Sequence, residues 1–322
     1  MNKWLLDHLV CPRDKTNLEM SDNALICSSG HRYPIFDDIP IMLVDDVEET
    51  HAYISKTLEK VAGEGPVDIK NGSDGIDEFV QGEIPYTSGN LYFSVQYKLK
   101  RYPIPKMRLP DGDGKRLLDV GCNWGRWTVA AAKKGYKPIG LDPSIDAVLA
   151  ARRVAKKMNV EADFVVGDAR FLSFADSAFD TVFCYSVLQH FSKENARMSL
   201  DEVARVLKKN GVTLIQMPNK YGIRQYQQHR RRGFTEGEGF EVRYWTPSEL
   251  LDTFETKFGP TKMSVDCYFG LGIQATDIDL LPLHYRFVVM SSEALRRIST
   301  VFKPLTKVAD SVYLESVNQN KS

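Results

Sequence analysis

The clearest periodicity lies between residues 115 and 218, where short apolar runs alternate with longer stretches whose apolar positions recur every three to four residues. The runs predict strands at 116–121, 137–142, 162–167, 179–185 and 211–217, and the longer stretches predict helices at 124–134, 144–158 and 193–208. Leu117, Leu118 and Val120 form the run that a strand buried on both faces requires. Strands and helices in alternation imply an α/β fold with a mostly parallel sheet and helices on both faces. In such sheets a ligand lies beyond the carboxyl ends of the strands. The first strand runs into the turn Gly121-Cys-Asn-Trp-Gly125, whose glycines let backbone approach a ligand.

Outside this core the pattern is less regular. Residues 1–48 read as a small module with a short helix at 4–10 and a strand at 23–26. Residues 49–110 read as a connecting segment. Its stretch 61–75 is rich in turn formers and predicts a linker, followed by a helix near 90–101 that carries aromatic residues. After the core, 219–245 is an insertion ahead of a helix opened by Thr246, with Pro247 at its first position and Glu249 at its third. The segment 262–290 is expected to hold the last strands. In the tail, 291–322, Leu295, Ile298, Phe302, Leu305, Val308 and Val312 recur at helical spacing, with Arg296, Arg297, Lys303 and Lys307 off that stripe and Pro304 as a kink. The stripe is expected to pack on the core or on a second subunit, giving a homodimer, or to lie on an anionic membrane surface beside a lipid-linked acceptor.

With 322 residues, 43% hydrophobic and 26% charged, the chain fits one large domain plus a small one. Lysine plus arginine equals aspartate plus glutamate at 42 each, so no overall field favours nucleic acid and an anionic partner must be met by a local patch. Five scattered cysteines argue against a disulfide framework and for a reducing cytoplasm. Asp7 and His8 interrupt any signal-peptide core, and no run of about 18 apolar residues is present to span a membrane. The expectation is a cytoplasmic protein, membrane-peripheral if the tail docks.

Three carboxylates stand at predicted strand ends: Asp119, Asp142 and Asp168. A carboxylate after the second strand can accept both ribose hydroxyls, and one after the third can accept an adenine amino group. The turn lacks the G-x-G-x-x-G spacing of a dinucleotide cradle and the Gly-Lys-Ser/Thr of a P-loop. The segments Leu118-Asp-Val-Gly-Cys-Asn-Trp-Gly125, Gly140-Leu-Asp-Pro-Ser144, Val166-Gly-Asp-Ala169, Phe179-Asp-Thr-Val-Phe-Cys-Tyr185 and Val206-Leu-Lys-Lys-Asn-Gly-Val212 resemble, in order, the motifs of class I S-adenosylmethionine-dependent methyltransferases. The resemblance implies a Rossmann-like sheet of seven strands with S-adenosylmethionine as cofactor. It also implies Gly121, Cys122, Asn123 and Gly125 around the methionine part, Asp119 orienting the turn and the amino end, Asp142 and Pro143 at the ribose, Asp168 and Ala169 at the adenine, and Tyr185 nearby. Asn123 stands where the family commonly has glycine, and asparagine tolerates the left-handed backbone this requires. Trp124 either narrows the site or packs on the preceding helix.

In the N-terminal module Cys11, Asp14, Cys27 and His31 offer thiolate, carboxylate and imidazole donors from two turns, a set that suits tetrahedral zinc. The alternative is a degenerate ribbon with two buried free cysteines. Leu5-Leu-Asp-His-Leu-Val-Cys-Pro12 and Tyr33-Pro-Ile-Phe-Asp-Asp-Ile-Pro-Ile-Met-Leu43 resemble the zinc-ribbon-like domain that activates methyltransferases or is fused ahead of them. The Cys27–His31 spacing is also similar to the zinc end of a ribosomal-RNA guanine methyltransferase family, which keeps an RNA acceptor as an alternative.

Methyl transfer is an in-line displacement, so the protein mainly positions the acceptor and excludes water. Cys184-Tyr-Ser-Val-Leu-Gln-His-Phe191 places Tyr185, Gln189 and His190 at the expected mouth, where the imidazole can take a hydroxyl proton or serve as a helix-end hydrogen-bonding group. Tyr86 and Tyr92 either close over the acceptor or pack in the core. Arg224 and Arg230–Arg232 either hold an anionic acceptor group or form a solvated face, and Tyr221, Tyr244 and Trp245 are candidates to flank a ring or sugar. The expected activity is methyl transfer to oxygen of a small-molecule or saccharide-like acceptor. A cofactor-binding scaffold that recruits a partner through the N-terminal module is the non-enzymatic alternative.

Overall fold

The structure, a computed structural model, describes residues 1–48, 52–63, 75–270 and 272–319. Most of the turn-rich stretch 61–75 lies outside the described residues. The chain opens with α1 (Lys3–His8) and the antiparallel strands β1 (Leu18–Ser21), β2 (Ala24–Cys27), β3 (Arg32–Phe36) and β4 (Ile39–Met42). Two helices, α2 (Tyr53–Ala62) and α3 (Glu78–Ser88), precede the core. The core runs β5 (Arg116–Val120), α4 (Arg126–Lys133), β6 (Lys137–Asp142), α5 (Ile145–Lys157), β7 (Asp163–Gly167), β8 (Phe179–Cys184), α6 (Lys193–Val206) and β9 (Leu207–Pro218). Then follow α7 (Ile223–Arg231), α8 (Pro247–Phe258), β10 (Thr261–Cys267), α9 (Leu283–Val301) and β11 (Ser311–Val317).

The strands form one sheet in the order β1-β2-β3-β4-β7-β6-β5-β8-β9-β11-β10. Pairing is parallel from β4 to β9 and antiparallel at both ends. Strand order reverses beside β5, whose neighbours are β6 and β8, and this switch point is where an open α/β sheet offers its ligand crevice. The helices meet the sheet through apolar stripes; α5, capped by the Ser144 hydroxyl, buries Ile145, Val148, Ala151 and Val154.

Three sequence expectations change. Among the described residues the sheet has eleven strands, not seven, because the N-terminal strands join it through parallel pairing of Ile41 with Val166 and Met42 with Gly167. The helix expected near 90–101 forms earlier, at Glu78–Ser88, where the Asp77 side chain accepts the Val80 N–H, and residues 90–95 are only a 3₁₀ turn. The tail is not one helical stripe. Residues 311–317 are β11, inserted between β9 and β10, so Val312 is fully buried.

Candidate functional site

A cleft of about 920 Å³ opens beyond the carboxyl ends of the parallel strands and is roofed by α2, α3 and the insertion after β9. Its floor is the turn after β5. Gly121 has φ +74°, and a Cβ there would meet Val187 Cγ2 at 2.2 Å; Gly125 has φ +81°, and a Cβ would lie 2.9 Å from Ala151 Cβ. Asn123 adopts φ +44°, the left-handed backbone that asparagine tolerates, and its side-chain oxygen accepts the Trp124 N–H at 2.7 Å. Trp124 is buried and its Nε1 donates to Thr87 Oγ1 at 3.0 Å, so the indole packs on α3 and ties that helix to the turn.

The carboxylates differ in what they do. Asp142 ends β6 and lines the cleft; one oxygen accepts the Asn123 N–H at 2.9 Å and the other the Ser144 N–H at 3.0 Å. Burial pushes its carboxyl up to about 6 against those two bonds. A carboxylate offers roughly four acceptor positions, so two remain for a ligand. Asp119 is not among the cleft residues; it sits behind the turn, accepts the Thr128 hydroxyl at 2.6 Å and is pushed by burial up to about 7. Glu83, on α3, faces Asn123 across the cleft, and burial raises its carboxyl too. Asp168 lines the cleft, but both its oxygens are held by Arg170, through Nε at 3.0–3.2 Å and Nη2 at 2.6 Å, while the backbone N–H of Arg170 adds 2.8 Å. The carboxylate assigned to the adenine is therefore already saturated by its own neighbour two residues on.

Arg126 opens α4 inside the cleft. It is buried, its Nη1 donates to the Thr87 carbonyl at 3.3 Å, and its Nε has no partner among the described residues. An orphaned buried donor is costly unless an acceptor arrives, and a carboxylate is the natural one for guanidinium. The cleft thus offers negative side chains around the turn and one unpaired cationic donor beside them, a match for a zwitterionic, positively charged ligand carrying a sugar. Residues 117–211 match a family model described as a methyltransferase domain.

Over this segment the chain is similar to a class I methyltransferase domain. A domain of this class takes S-adenosylmethionine, and the residues just described fit it. The chain is 36% identical over 101 residues to the uncharacterized methyltransferase YcgJ of Bacillus subtilis, covering 31% of this chain and 39% of that protein. It is 27% identical over 107 residues to a ubiquinone biosynthesis O-methyltransferase of Azorhizobium caulinodans, covering 33% and 42%. The solved PH0226 protein of Pyrococcus horikoshii aligns over 76% of this chain and 99% of its own, with 19% identity and a TM-score of 0.45. The chain spans about half, or less, of the length of the curated relatives it matches.

The fold brings Gly121, Cys122, Asn123, Asp142, Pro143, Asp168, Ala169, Tyr185, Gln189, His190, Tyr86 and Arg224 to one cleft. Tyr185 lines it with its hydroxyl donating to Asp266 at 3.0 Å, and burial, then Asp266, holds the phenol protonated, so it serves as a donor and not a base. His190 Nδ1 donates to the Phe240 carbonyl at 2.7 Å, and its ring stacks on that of Phe240 at 3.9 Å. Nε2 is then the acceptor nitrogen and takes the Gln189 side-chain N–H at 3.1 Å. Four expected acceptor residues lie elsewhere. Tyr92 is fully buried among Val80, Ile84 and Trp124, because the 3₁₀ turn folds it inward. Trp245 is buried beneath Lys193 and Arg197, Tyr244 lies behind the cleft wall under Arg232, and Tyr221 is solvent-exposed outside the cleft. Sequence reading missed Tyr53 and Thr57 of α2, Glu83, Arg126, Gln216 and Ser311, all cleft residues. Thr57 donates to the Pro143 carbonyl at 2.8 Å, which seats α2 over the loop that follows β6. Only Arg126, beside Gly125, carried a local signal; the others come from elements whose approach the sequence does not encode locally.

Away from the cleft, Cys11, Asp14, Cys27 and His31 offer ligand atoms that all lie within 4.8 Å of one another. His31 Nδ1 is 3.5 Å from Cys11 Sγ, 3.3 Å from Cys27 Sγ and 3.4 Å from Asp14 Oδ2, and Cys27 Sγ is 3.8 Å from Asp14 Oδ2. Zinc bonded to sulfur, nitrogen and oxygen at ordinary lengths gives tetrahedral edges of roughly 3.3–3.8 Å, the range of these four separations. Thr16 donates to Asp14 Oδ1 at 2.6 Å and orients the carboxylate.

Proposed function

We propose that this protein transfers a methyl group from S-adenosylmethionine to an oxygen of a small-molecule or saccharide-like acceptor. The observation that carries the reading is the convergence on one cleft of the Gly121–Gly125 turn, Asp142 and Arg126, whose Nε has no partner among the described residues. When bound, S-adenosylmethionine supplies an electrophilic methyl on a sulfonium. Asp142 would accept the ribose hydroxyls, the Ala169 backbone would meet the adenine, and Arg126 would pair the methionine carboxylate. Asp142 and Glu83 line the cleft around the turn and would favour the positive ligand in their ionised forms. Trp124, Trp127 and Phe191 keep water from the reacting end.

On the acceptor side, the Nδ1–H bond to Phe240 holds His190 in the tautomer with its lone pair on Nε2. An acceptor hydroxyl would take the place of the Gln189 amide at that nitrogen and give its proton to Nε2 as oxygen attacks the methyl carbon, while the methyl–sulfur bond breaks and the cofactor leaves as a neutral thioether. Tyr185, Gln216 and Ser311 form a polar wall, with the Gln216 amide donating to Ser311 at 2.7 Å, suited to further hydroxyls of the acceptor. Labelled S-adenosylmethionine incubated with the protein and fractionated cell extract tests this. Label in small polar material supports it, label in RNA assigns the RNA alternative, and cofactor binding without transfer to any fraction assigns the scaffold. With an acceptor in hand, His190→Ala is expected to lower kcat by about a hundredfold with cofactor affinity unchanged. Turnover equal to the parent would remove His190 from the mechanism.

We also propose that the N-terminal cluster binds one zinc ion through Cys11, Asp14, Cys27 and His31. Elemental analysis of the purified chain is expected to find about one zinc per molecule, lost in His31→Ala. A zinc-free parent protein refutes the site.

A further inference from the structure

Helix α9 carries apolar side chains on its outer face as well as on the face that covers the core. Toward the protein it buries Val289 and two serines, Ser292 and Ser299, each 4% exposed, and packs the half-buried Tyr285 and Leu295 on the core. Ser292 is bound both ways to the Tyr268 backbone, accepting its N–H at 3.0 Å and donating to its carbonyl at 3.1 Å. Toward solvent it turns Leu283, Phe287, Met290, Ile298 and Val301, which recur at helical spacing along its whole length. Phe287 is 69% and Val301 87% exposed, and Phe302 and Val308 extend the row. Single exposed apolar side chains are ordinary, but a continuous row along a helix of about 28 Å marks a contact surface.

The charge on this region selects the occupant. Residues 282–308 carry five cations, Arg286, Arg296, Arg297, Lys303 and Lys307, against the single anion Glu293. Glu293 is itself paired with Arg296 and Arg297. A second copy docked by two-fold symmetry would bring the same cations together, whereas an anionic lipid surface complements them. The surface also adjoins the cleft. Asp310, just past Val308, accepts the N–H groups of Arg224 and Gln225 at 2.6 and 3.0 Å, and Asn219 donates to the carbonyls of Lys307 and Ala309 at 2.9 and 2.8 Å. Exposed Ile223 immediately precedes the cleft residue Arg224 in the chain.

We propose that the outer face of α9, with Phe302, Val308 and the flanking Lys303 and Lys307, docks on an anionic membrane surface. The helix lies in the plane of the interface; no helix among the described residues is long and apolar enough to cross a bilayer. The seat is independent of the methyl-transfer reading, since it uses none of the cleft residues. The test is cosedimentation of the full chain with phosphatidylcholine vesicles, with and without phosphatidylserine, at low and high salt. Binding is expected only with phosphatidylserine and is expected to weaken with salt. The triple variant F287S/I298S/V301S should lower partitioning by at least about tenfold. K303Q/K307Q, which leaves the apolar row intact, should lower it by roughly fivefold per charge. Circular dichroism establishes that both variants are folded. Equal partitioning of the parent and a folded variant overturns the proposal. So does a parent that ignores vesicles and scatters light as a dimer that the triple variant splits, which gives the face to a second copy.

Discussion

Asp142 is where the chemistry of one residue is most exposed to test. Its ordinary value in an unfolded chain is near 3.9, and burial raises it to about 6 in the folded protein. Ribose hydroxyls bond best to the ionised form, so cofactor affinity is expected to rise between about pH 5 and 7 and to level off above that. Asp142→Asn should weaken binding by roughly ten- to a hundredfold and flatten this pH dependence, as read by calorimetry. A flat profile in the parent would detach Asp142 from the ribose. Asp119 makes the matching statement about stability. Its carboxyl is also raised by burial, to about 7, so the folded chain holds a proton that the unfolded chain releases. That contribution is complete below about pH 4 and is lost as pH rises through 7, so the urea midpoint should fall across this range and Asp119→Asn should flatten the fall. Arg170 presents the opposite case. It is buried with Asp168, and Arg170→Ala, which strands a buried carboxylate, is expected to cost about 3–5 kcal/mol in urea unfolding.

At the scale of elements, helices and strands that carry their own period were legible, and those defined by their neighbours were not. The strands from Arg116 to Pro218 and α4, α5 and α6 stand where the apolar pattern puts them, because each is buried by its own repeat. The capping box at Thr246 and Glu249 likewise opens α8 as read, with both of its hydrogen bonds formed. Helix α3 was misplaced because Pro85 sits in its interior, where the missing N–H normally ends a helix. It persists because Val80 and Ile84 are buried and Trp124 bonds Thr87. The tail misled for another reason. The stripe from Leu295 to Val312 has helical spacing, yet Ser311–Val317 completes the sheet between β9 and β10. The junction rests on Asp310, whose carboxylate accepts the backbone N–H groups of Arg224, Gln225 and Phe269. Asp310→Ala leaves three donors without their acceptor and should destabilise the chain by about 2–4 kcal/mol. An unchanged urea midpoint would show that water replaces it.

For the whole molecule, the N-terminal strands are part of the main sheet through β4 and β7, and β7 leads directly to Asp168. Removing the proposed zinc should therefore lower the thermal midpoint of the entire chain by several degrees and not melt the first 48 residues alone. Two separate transitions after chelation would count against that coupling. By itself the sequence determined the core fold, the turn after β5 and the three carboxylates in order, because strand period, glycine conformation and residue chemistry are local properties. It also determined the donor set at Cys11, Asp14, Cys27 and His31. Only the tertiary structure decided which side chains share the cleft. Tyr92, Tyr244 and Trp245 went into packing, while Glu83, Thr57 and Ser311 arrived from distant segments. Whether an aromatic ring lines a site or fills a core depends on what approaches it from elsewhere in the chain. The outward apolar row of α9 is of the same kind, since the stripe was visible in part but the face that meets the body of the protein is set by Val289, Leu295 and the Ser292 bonds to Tyr268.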